Sequence, residues 1–364
     1  AAEEADAAVI FAGLPESFES EGYDRRHMRL PEAQNNLIAR VAAVQKNTVV
    51  VLHTGSPVEC PWAEDVSAIL CMYLGGEGVG RAADALLYGE ADPCGRLPET
   101  WPLRLEDTPC YLDYPGDGRT AWYREGVFVG YRWYDARRMP VRWPFGHGLS
   151  YTGFVYKAAS LSSASLTDGG SVDVSVTVRN SGARFGREVV QLYIAPPENA
   201  VPRPPKELRR FAKVALQPGE ETTVTFTITP RDLCYFDEEL GDWYAESGEY
   251  KVLLGHSSRN IPTVLPLQYT TARRRPLTVD ENTPIGDLLR DDRTAPIVRT
   301  MLASYGRQMG ENGGDAISEE AALQMMDGMP LRSMVAFGGP QAAAAMPGLL
   351  SALRGAVRPR DERT

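Results

Sequence analysis

The sequence predicts an α/β region followed by an all-β region and a small helical C-terminal extension. Three observations carry this prediction. Between residues 7 and 100, apolar runs of strand length alternate with amphipathic helical patterns. From Phe154 to Tyr269 the apolar residues recur at every second position, which is typical of half-buried strands. From Thr278 onward the apolar spacing is that of helices.

The α/β region contains three predicted strands and two predicted helices. In chain order these are Val9–Ala12, the helix Pro31–Gln45, Thr48–His53, Val66–Leu74 and the helix Gly78–Tyr88. Strands joined by helices pair in parallel through right-handed crossovers. Because parallel sheets are normally larger and covered on both faces, we expect the first half of this domain to lie upstream. The start AAEEADAAVIF, which lacks an initiator methionine, also indicates a cut inside a longer protein.

The all-β region predicts an antiparallel sandwich of the fibronectin type III kind. Val172–Val178 alternates strictly, and Asn-Ser-Gly and Pro-Gly turns separate it from further runs. Those further predicted strands are Glu188–Ile194, Lys206–Leu216, Thr222–Ile228, Trp243–Glu246 and Tyr250–Leu254. The sequence therefore predicts short strands at regular spacing over this whole region.

Two segments complete the predicted organisation. An aromatic-rich linker, residues 106–153, is expected to wrap the α/β domain (1–105) and the sandwich (154–272) together. The remainder, 273–364, is the helical extension. Its predicted helices are Ile285–Leu289, Ala295–Gly306, Ser318–Met326, Leu331–Phe337 and Gln341–Leu353.

Composition excludes several classes of function. The net charge of -10 argues against a nucleic-acid partner, and no apolar run has the length of a membrane span. The five cysteines are an odd number without a CxxC pair, so we expect neither a zinc site nor a disulfide framework. We expect no metal and no cofactor. Buried free thiols favour a cytoplasmic location.

The segment that draws attention is the loop from Gly13 to Leu30, which leaves the carboxyl end of the first strand. Connections in α/β units usually take about 2–6 residues, so this loop is much longer than packing requires. Open parallel sheets place their ligand sites at that edge. The loop carries the acids Glu16, Glu19, Glu21 and Asp24.

Residue chemistry leaves two interpretations of this loop open. Glu21 stands between Ser20 and Gly22, small neighbours that let it reach into a cleft and donate a proton to a leaving oxygen. Glycoside cleavage needs such a group and a second carboxylate. In the other interpretation the acids are solvated, and Asp24 and Arg25 neutralise each other. The residues alone favour neither.

Other candidate sites are weaker. Gly75–Gly80 follows a strand, but Arg81 stands where a dinucleotide fingerprint needs Gly or Ala. Pro57 removes the N–H that an oxyanion hole beside Ser56 would use. His53 and His147 lack nearby ligand partners and are interpreted as structural.

The stretch ESEGYDRRHMRLP, residues 19–31, resembles the acid/base loop of glycoside hydrolase family 3, the family of many β-glucosidases. Further similar stretches follow in the family's order, up to about residue 270. They are TVVVLHTGSPVECPW (48–62), YREGVFVGYRWYD (123–135), PFGHGLSYTGF (144–154), RNSGARFGREVVQLYI (179–194) and SGEYKVLLGHSSRNI (247–261). The tail stretch MPLRSMVAFGG (329–339) resembles an extension of some bacterial members.

The resemblance implies a (β/α)-barrel that supplies an aspartate nucleophile, a partial (α/β) sandwich domain with a parallel sheet, and a fibronectin type III-like domain. It implies that Glu21 is the general acid/base, with Glu19 as the runner-up, and that Asp24 and Arg25 order the loop. The expected protein is a portion of a retaining, exo-acting glycosidase that hydrolyses terminal β-D-glucosyl residues. No stretch matches the barrel or its nucleophile motif, so we expect the chain alone to be inactive.

The expected partners are a small β-glucoside or oligosaccharide and a (β/α)-barrel domain of the same protein or of a companion chain. A rival hypothesis is a non-catalytic carbohydrate-binding or scaffold module. A third hypothesis is a nucleotide-dependent enzyme in which Gly76 and Gly78 contact phosphate.

Overall fold

The computed structural model describes residues 1–198, 201–310 and 324–357. The chain divides into two compact units, of which one comprises Ala1–Phe236 with Trp243–Ala272 and the other Asp237–Asp242 with Arg273–Thr364. The predicted combination of a parallel sheet, a β-sandwich and a helical extension is confirmed. The boundaries between the predicted domains stay predictions.

A three-stranded parallel sheet lies at the start of the first unit, in the order β1-β2-β3. Its elements are β1 (Ala8–Gly13), α1 (Glu32–Val44), β2 (Thr48–His53), β3 (Ala68–Cys71) and α2 (Val79–Leu87). β1 and β2 are in register from Ala8↔Thr48 to Gly13↔His53. The middle strand β2 buries Val50, Val51 and Leu52 completely, as a central parallel strand does.

β3 is shorter than the prediction Val66–Leu74. Tyr73 has a positive φ of 48°, a backbone conformation that strands do not adopt. Leu74 is 77% exposed. The apolar run thus continues beyond the strand into the turn that leads to α2, and periodicity alone does not show where the strand ends.

The sandwich consists of a five-stranded sheet, β5-β13-β12-β7-β8, and a three-stranded sheet, β4-β6-β9. A short two-stranded ribbon, β10-β11, is formed separately. The strands are β4 (Phe154–Leu161), β5 (Ser165–Thr167), β6 (Val172–Asn180), β7 (Gly186–Ala195), β8 (Glu207–Leu216), β9 (Glu221–Ile228), β10 (Tyr235–Asp237), β11 (Asp242–Tyr244), β12 (Gly248–Gly255) and β13 (Thr263–Thr270). The alternating valines of β6, at positions 172, 174, 176 and 178, all face the core.

β7 departs from simple alternation because both of its faces are covered. Val190 and Leu192 face the sandwich core, whereas Gln191 and Tyr193 are buried on the opposite face. The Gln191 amide there donates to the backbone carbonyl of Gly146 (3.0 Å). The aromatic-rich segment therefore covers the outer face of this strand.

That aromatic segment also contains α3 (Tyr131–Ala136), a helix that the sequence analysis missed. Tyr131 stacks on Phe145, with 4.6 Å between ring centroids, and meets Tyr193 of β7 edge-on. Two residues before Phe145, the backbone carbonyl of Trp143 accepts from the backbone N–H of Trp101 (2.9 Å). The segment thus contacts the sandwich through Tyr131 and joins the core of the parallel sheet through Trp143.

The second unit is helical, with α4 (Ile285–Arg290), α5 (Ala295–Gly310) and α6 (Ser333–Val357). Ile285, Leu288, Val298 and Leu353 are fully buried in its core. Gly339, with φ 59° and followed by a proline, breaks α6 between the two predicted helices. Of the predicted helix 318–326, residues 318–323 lie outside the described residues. Over the described ranges, no helix is both long and apolar enough to cross a membrane.

Candidate active-site loop

The long loop leaves β1 at Gly13, where the backbone is closely packed. A side chain at Gly13 would place its Cβ 2.3 Å from the His53 carbonyl oxygen, so only glycine fits there. The Gln34 side chain of α1 accepts from the Gly13 N–H (2.9 Å) and donates to the Gly13 carbonyl (3.0 Å). These contacts fix the backbone at the point where the loop leaves β1.

Glu19 lies at the base of the loop tip, and both of its carboxylate oxygens accept hydrogen bonds. Oε2 accepts from the Gly55 N–H (2.6 Å), and Oε1 accepts from the Ser56 hydroxyl (2.7 Å). Gly55 and Ser56 belong to the turn that follows β2. Glu19, the runner-up acid of the sequence analysis, is therefore bound to the turn that follows the neighbouring strand β2.

Arg25, on the far side of the tip, reaches the same turn. Its Nη1 donates to the Ser56 hydroxyl oxygen (2.5 Å) and to the Pro57 carbonyl (3.2 Å). The same nitrogen lies 3.8 Å from the Glu19 carboxylate. The Ser56 side chain, which the sequence analysis considered as a nucleophile, connects the two charged residues.

The tip itself is a tight hairpin. Ser20 and Tyr23 form an antiparallel bridge, and the Gly22 N–H donates to the Ser20 hydroxyl oxygen (3.2 Å). The Tyr23 hydroxyl donates to the Glu16 carbonyl. The Tyr114 hydroxyl donates to the Asp24 carboxylate (2.5 Å). Asp24 and Arg25 thus contact different partners and do not neutralise each other through a hydrogen bond.

Glu21 projects from this hairpin and is exposed. Its carboxylate accepts no hydrogen bond from any residue in the part of the chain that the structure describes. The two predicted acids thus lie on one loop in different surroundings. Both carboxylate oxygens of Glu19 accept hydrogen bonds, whereas those of Glu21 accept none from the described residues. Their catalytic roles stay predictions.

Behind the loop lies a cavity of about 300 Å³ that the sequence analysis missed. Arg25, His27, Ser56, Glu99 and Tyr134 contribute to its lining. Burial lowers the pKa of the Arg25 guanidinium, while the carboxylates of Glu19 and Glu99 raise it in part. Its Nη2 is buried and has no hydrogen-bond partner within the described part of the chain.

Glu99 is the least expected residue of this cavity. Burial raises the pKa of its carboxyl, the Tyr73 hydroxyl at 3.5 Å opposes that rise, and the charge of Glu19 adds to it. Its neighbours Pro98 and Thr100 carry no motif, so only the fold brings it near Arg25. Over the described ranges, no cluster of His, Cys, Asp or Glu could hold a metal ion.

The other residues that the sequence analysis considered as sites, Gly76, His53 and His147, lie in a turn or pack against neighbouring residues. Gly76 has a positive φ of 65° in the turn before α2. His53 stacks against Phe11 with 6.1 Å between ring centroids. Burial lowers the pKa of His147, and the charge of Arg96 lowers it further.

The fold and the loop define a class of protein: an α/β layer that presents a free carboxylate on an anchored loop, joined to a β-sandwich. Residues 1–151 match the glycosyl hydrolase family 3 C-terminal domain, and residues 188–258 match the fibronectin type III-like domain. The chain therefore belongs to glycosyl hydrolase family 3, of which it carries the C-terminal portion.

Among curated relatives, the chain is 44% identical over 339 residues to thermostable beta-glucosidase B of Acetivibrio thermocellus, covering 93% of this chain and 44% of the relative. It is 43% identical over 261 residues to a beta-glucosidase of Kluyveromyces marxianus, covering 71% of this chain and 30% of the relative. The chain thus spans less than half the length of these relatives.

Solved structures agree. The Bifidobacterium adolescentis GH3 beta-glucosidase superimposes with a TM-score of 0.76 at 39% identity, covering 82% of this chain and 44% of that chain. The Kluyveromyces marxianus enzyme in complex with glucose gives a TM-score of 0.70 at 40% identity, covering 73% and 32%.

Proposed function

We propose that this chain is the acid/base-bearing portion of a retaining, exo-acting β-glucosidase. One observation carries the proposal: Glu21 stands free at the tip of an anchored loop, at the carboxyl edge of a parallel sheet. Membership of family 3 and relatives named as beta-glucosidases support it. The substrate is a small β-glucoside or oligosaccharide with a terminal β-D-glucosyl residue.

The proposed reaction is a double displacement. A nucleophile aspartate on a (β/α)-barrel, in the same protein or a companion chain, attacks the anomeric carbon while Glu21 gives its proton to the departing oxygen. The Glu21 carboxylate then takes a proton from water, which attacks the glycosyl-enzyme and releases glucose. Because Glu21 is exposed and its carboxylate contacts no hydrogen-bond partner among the described residues, we propose that the other half of the pocket is supplied from outside them. The proposed location is cytoplasmic.

The test compares leaving groups in the complete enzyme, in which the barrel is present. We expect Glu21→Gln to lower kcat/KM for alkyl glucosides by about 10²–10⁴-fold, because an alkoxide leaves only when it is protonated. For dinitrophenyl glucoside, whose leaving group needs little protonation, we expect kcat/KM to change by less than about 5-fold.

Glu16→Gln is the matched control, since Glu16 is an exposed acid of the same loop. It should leave both values within about 2-fold of wild type, as a surface substitution does. Equal effects of Glu21→Gln on both substrates would contradict the proposal.

A second candidate is a non-catalytic carbohydrate-binding module. The rings of Trp122 and Tyr123, which are 54% and 80% exposed, favour it because exposed aromatic rings can stack on sugar faces. In that case the wild type and Glu21→Gln proteins would bind sugars with equal affinity, and neither would turn them over.

A further inference from the structure

We propose that Glu19 is a positioning residue that acts through Ser56 and Gly55 to hold Glu21 in place, and that it does not carry the transferred proton. This inference rests on the proposed function and names how the acid/base loop is held. Glu19 is only two positions from Glu21, so the sequence alone does not show which of the two is the acid and which is the positioning residue.

The first argument is hydrogen-bond satisfaction. Glu19 accepts from the Gly55 N–H and the Ser56 hydroxyl at 2.6 and 2.7 Å, the short distances of charge-assisted hydrogen bonds. A general acid must present a carboxyl oxygen to the leaving group, whereas both oxygens of Glu19 already accept hydrogen bonds from the protein. Its side chain is 24% exposed, and both oxygens point into the turn after β2. Glu19 is therefore arranged to remain a hydrogen-bond acceptor.

The second argument is where the anchors lie along the chain. Glu19 and Arg25 flank the hairpin tip 20–24, and both reach the same residue, Ser56. The turn follows β2, whose central residues Val50 and Leu52 are fully buried. Both ends of the tip are thus tied to the turn that follows the most deeply buried strand of the sheet. Anchoring of this kind holds a site group in a productive geometry.

The third argument is the shape of the turn. A Cβ added at Gly55 would lie 3.0–3.1 Å from the three atoms of the Glu19 carboxyl group. This contact is tighter than an ordinary van der Waals contact. Gly55→Ala would therefore push the Glu19 carboxylate a few tenths of an ångström out of its place beside the Gly55 N–H, without removing any charge or polar group. The substitution gives an independent way to loosen the anchor.

The first experiment uses the 364-residue chain itself and does not depend on catalysis. Hydrogen exchange of the backbone amides of residues 20–24 is measured for wild type, Glu19→Gln, Gly55→Ala and Glu16→Gln. We expect both anchor variants to speed this exchange at least several-fold, because the tip opens more often. Glu16→Gln should match wild type, since that side chain is exposed. Unchanged exchange in both anchor variants would overturn the anchor.

The second experiment measures kcat/KM of the complete enzyme with the same variants. We expect Glu19→Gln and Gly55→Ala to lower the value for alkyl glucosides by at least about 10-fold, since misplacement by about 1 Å can cost about 10²-fold. The value for dinitrophenyl glucoside should change much less. The alkaline limb of the pH profile should persist, because Glu21 still supplies the proton.

Two kinetic results would overturn the assignment. Loss of the alkaline limb in Glu19→Gln, with its retention in Glu21→Gln, would make Glu19 the acid itself. Equal losses on both substrates would make Glu19 merely structural. If Glu21→Gln shows no dependence on the leaving group, the proposed function fails, whereas the exchange experiment still decides whether the anchor exists.

Discussion

Two carboxylates of the first unit show how differently one fold can use the same chemical group. Glu188 on β7 has a side chain that is 2% exposed and contacts three partners: Arg96 (2.6 Å), His256 (2.6 Å) and the Tyr156 hydroxyl (2.9 Å). Glu21 is exposed at a hairpin tip whose neighbours, rather than its own carboxylate, are held in place.

The two residues differ in what is held in place: the side chain itself at Glu188, and the backbone on either side of the residue at Glu21. The carboxylate of Glu188 is fully occupied and joins the sandwich to Arg96, in the segment that follows α2. The Glu21 carboxylate has no hydrogen-bond partner among the residues that the structure describes, while residues 19 and 25 on either side are anchored. The first arrangement stabilises the fold, and the second leaves a reactive group available at a defined position.

The largest expected effect on stability comes from breaking the Glu188 cluster. Glu188→Gln removes the charge that pairs with Arg96, whose side chain is only 9% exposed. Removing one partner of a buried ion pair costs about 3–5 kcal/mol, so we expect a loss of that size in the free energy of unfolding. Denaturant titration of the chain measures it.

Tyr156→Phe serves as the graded control, since it removes the hydroxyl that bonds to Glu188 (2.9 Å) and to the Gly255 carbonyl (3.2 Å) and keeps the charges. It should cost about 1 kcal/mol. If Glu188→Gln costs no more than Tyr156→Phe, the cluster does not hold the two parts of this unit together.

A pH titration sharpens the same comparison. Burial by itself raises the pKa of Glu188, but the His256 hydrogen bond and the Arg96 charge outweigh it, and the pKa lies below its ordinary value of 4.5. A depressed pKa contributes stability that is complete above the unfolded value and is lost as the pH falls through the folded value. We therefore expect the stability difference between wild type and Glu188→Gln to shrink below about pH 4.5. A difference that is constant from pH 7 to pH 3 would contradict this account.

The smallest expected effect is at Glu99 and has the opposite sign. Burial raises its pKa, so the folded state binds the proton more tightly than the unfolded state. Its ionisation therefore costs stability as the pH rises through the unfolded value near 4.5. Glu99→Gln should raise stability at pH 7 by a few tenths of a kcal/mol, the size typical of partly exposed charges. The gain should disappear at pH 3, and melting curves at the two pH values measure both.

Much of this fold follows from patterns within single segments. The alternating valines of β6 identify the sandwich, and the run Thr48–His53 identifies the central parallel strand. Pattern alone fails where burial comes from distant residues, as at β7, whose outer face is covered by the aromatic segment through Gln191 and Tyr193. The helix Tyr131–Ala136 is too short to establish a helical period.

The site divides in the same way. The motif around Glu21 lies in one loop, so it is visible in the sequence. The hydrogen-bond donors to Glu19 lie 36 and 37 residues away in the sequence, at Gly55 and Ser56. They come close to Glu19 because β1 and β2 are adjacent in the sheet, so the loops that follow these strands meet. Likewise, only folding creates the cavity behind Arg25 and brings Glu99 into its lining.

The most direct measurement of the central claim replaces each acid by glycine in the complete enzyme and adds azide. The account predicts that azide restores turnover of dinitrophenyl glucoside by Glu21→Gly and yields β-glucosyl azide, because the anion attacks the glycosyl-enzyme without needing a general base. Glu19→Gly should not be rescued, since Glu21 remains in place. Rescue of Glu19→Gly but not of Glu21→Gly would contradict the account.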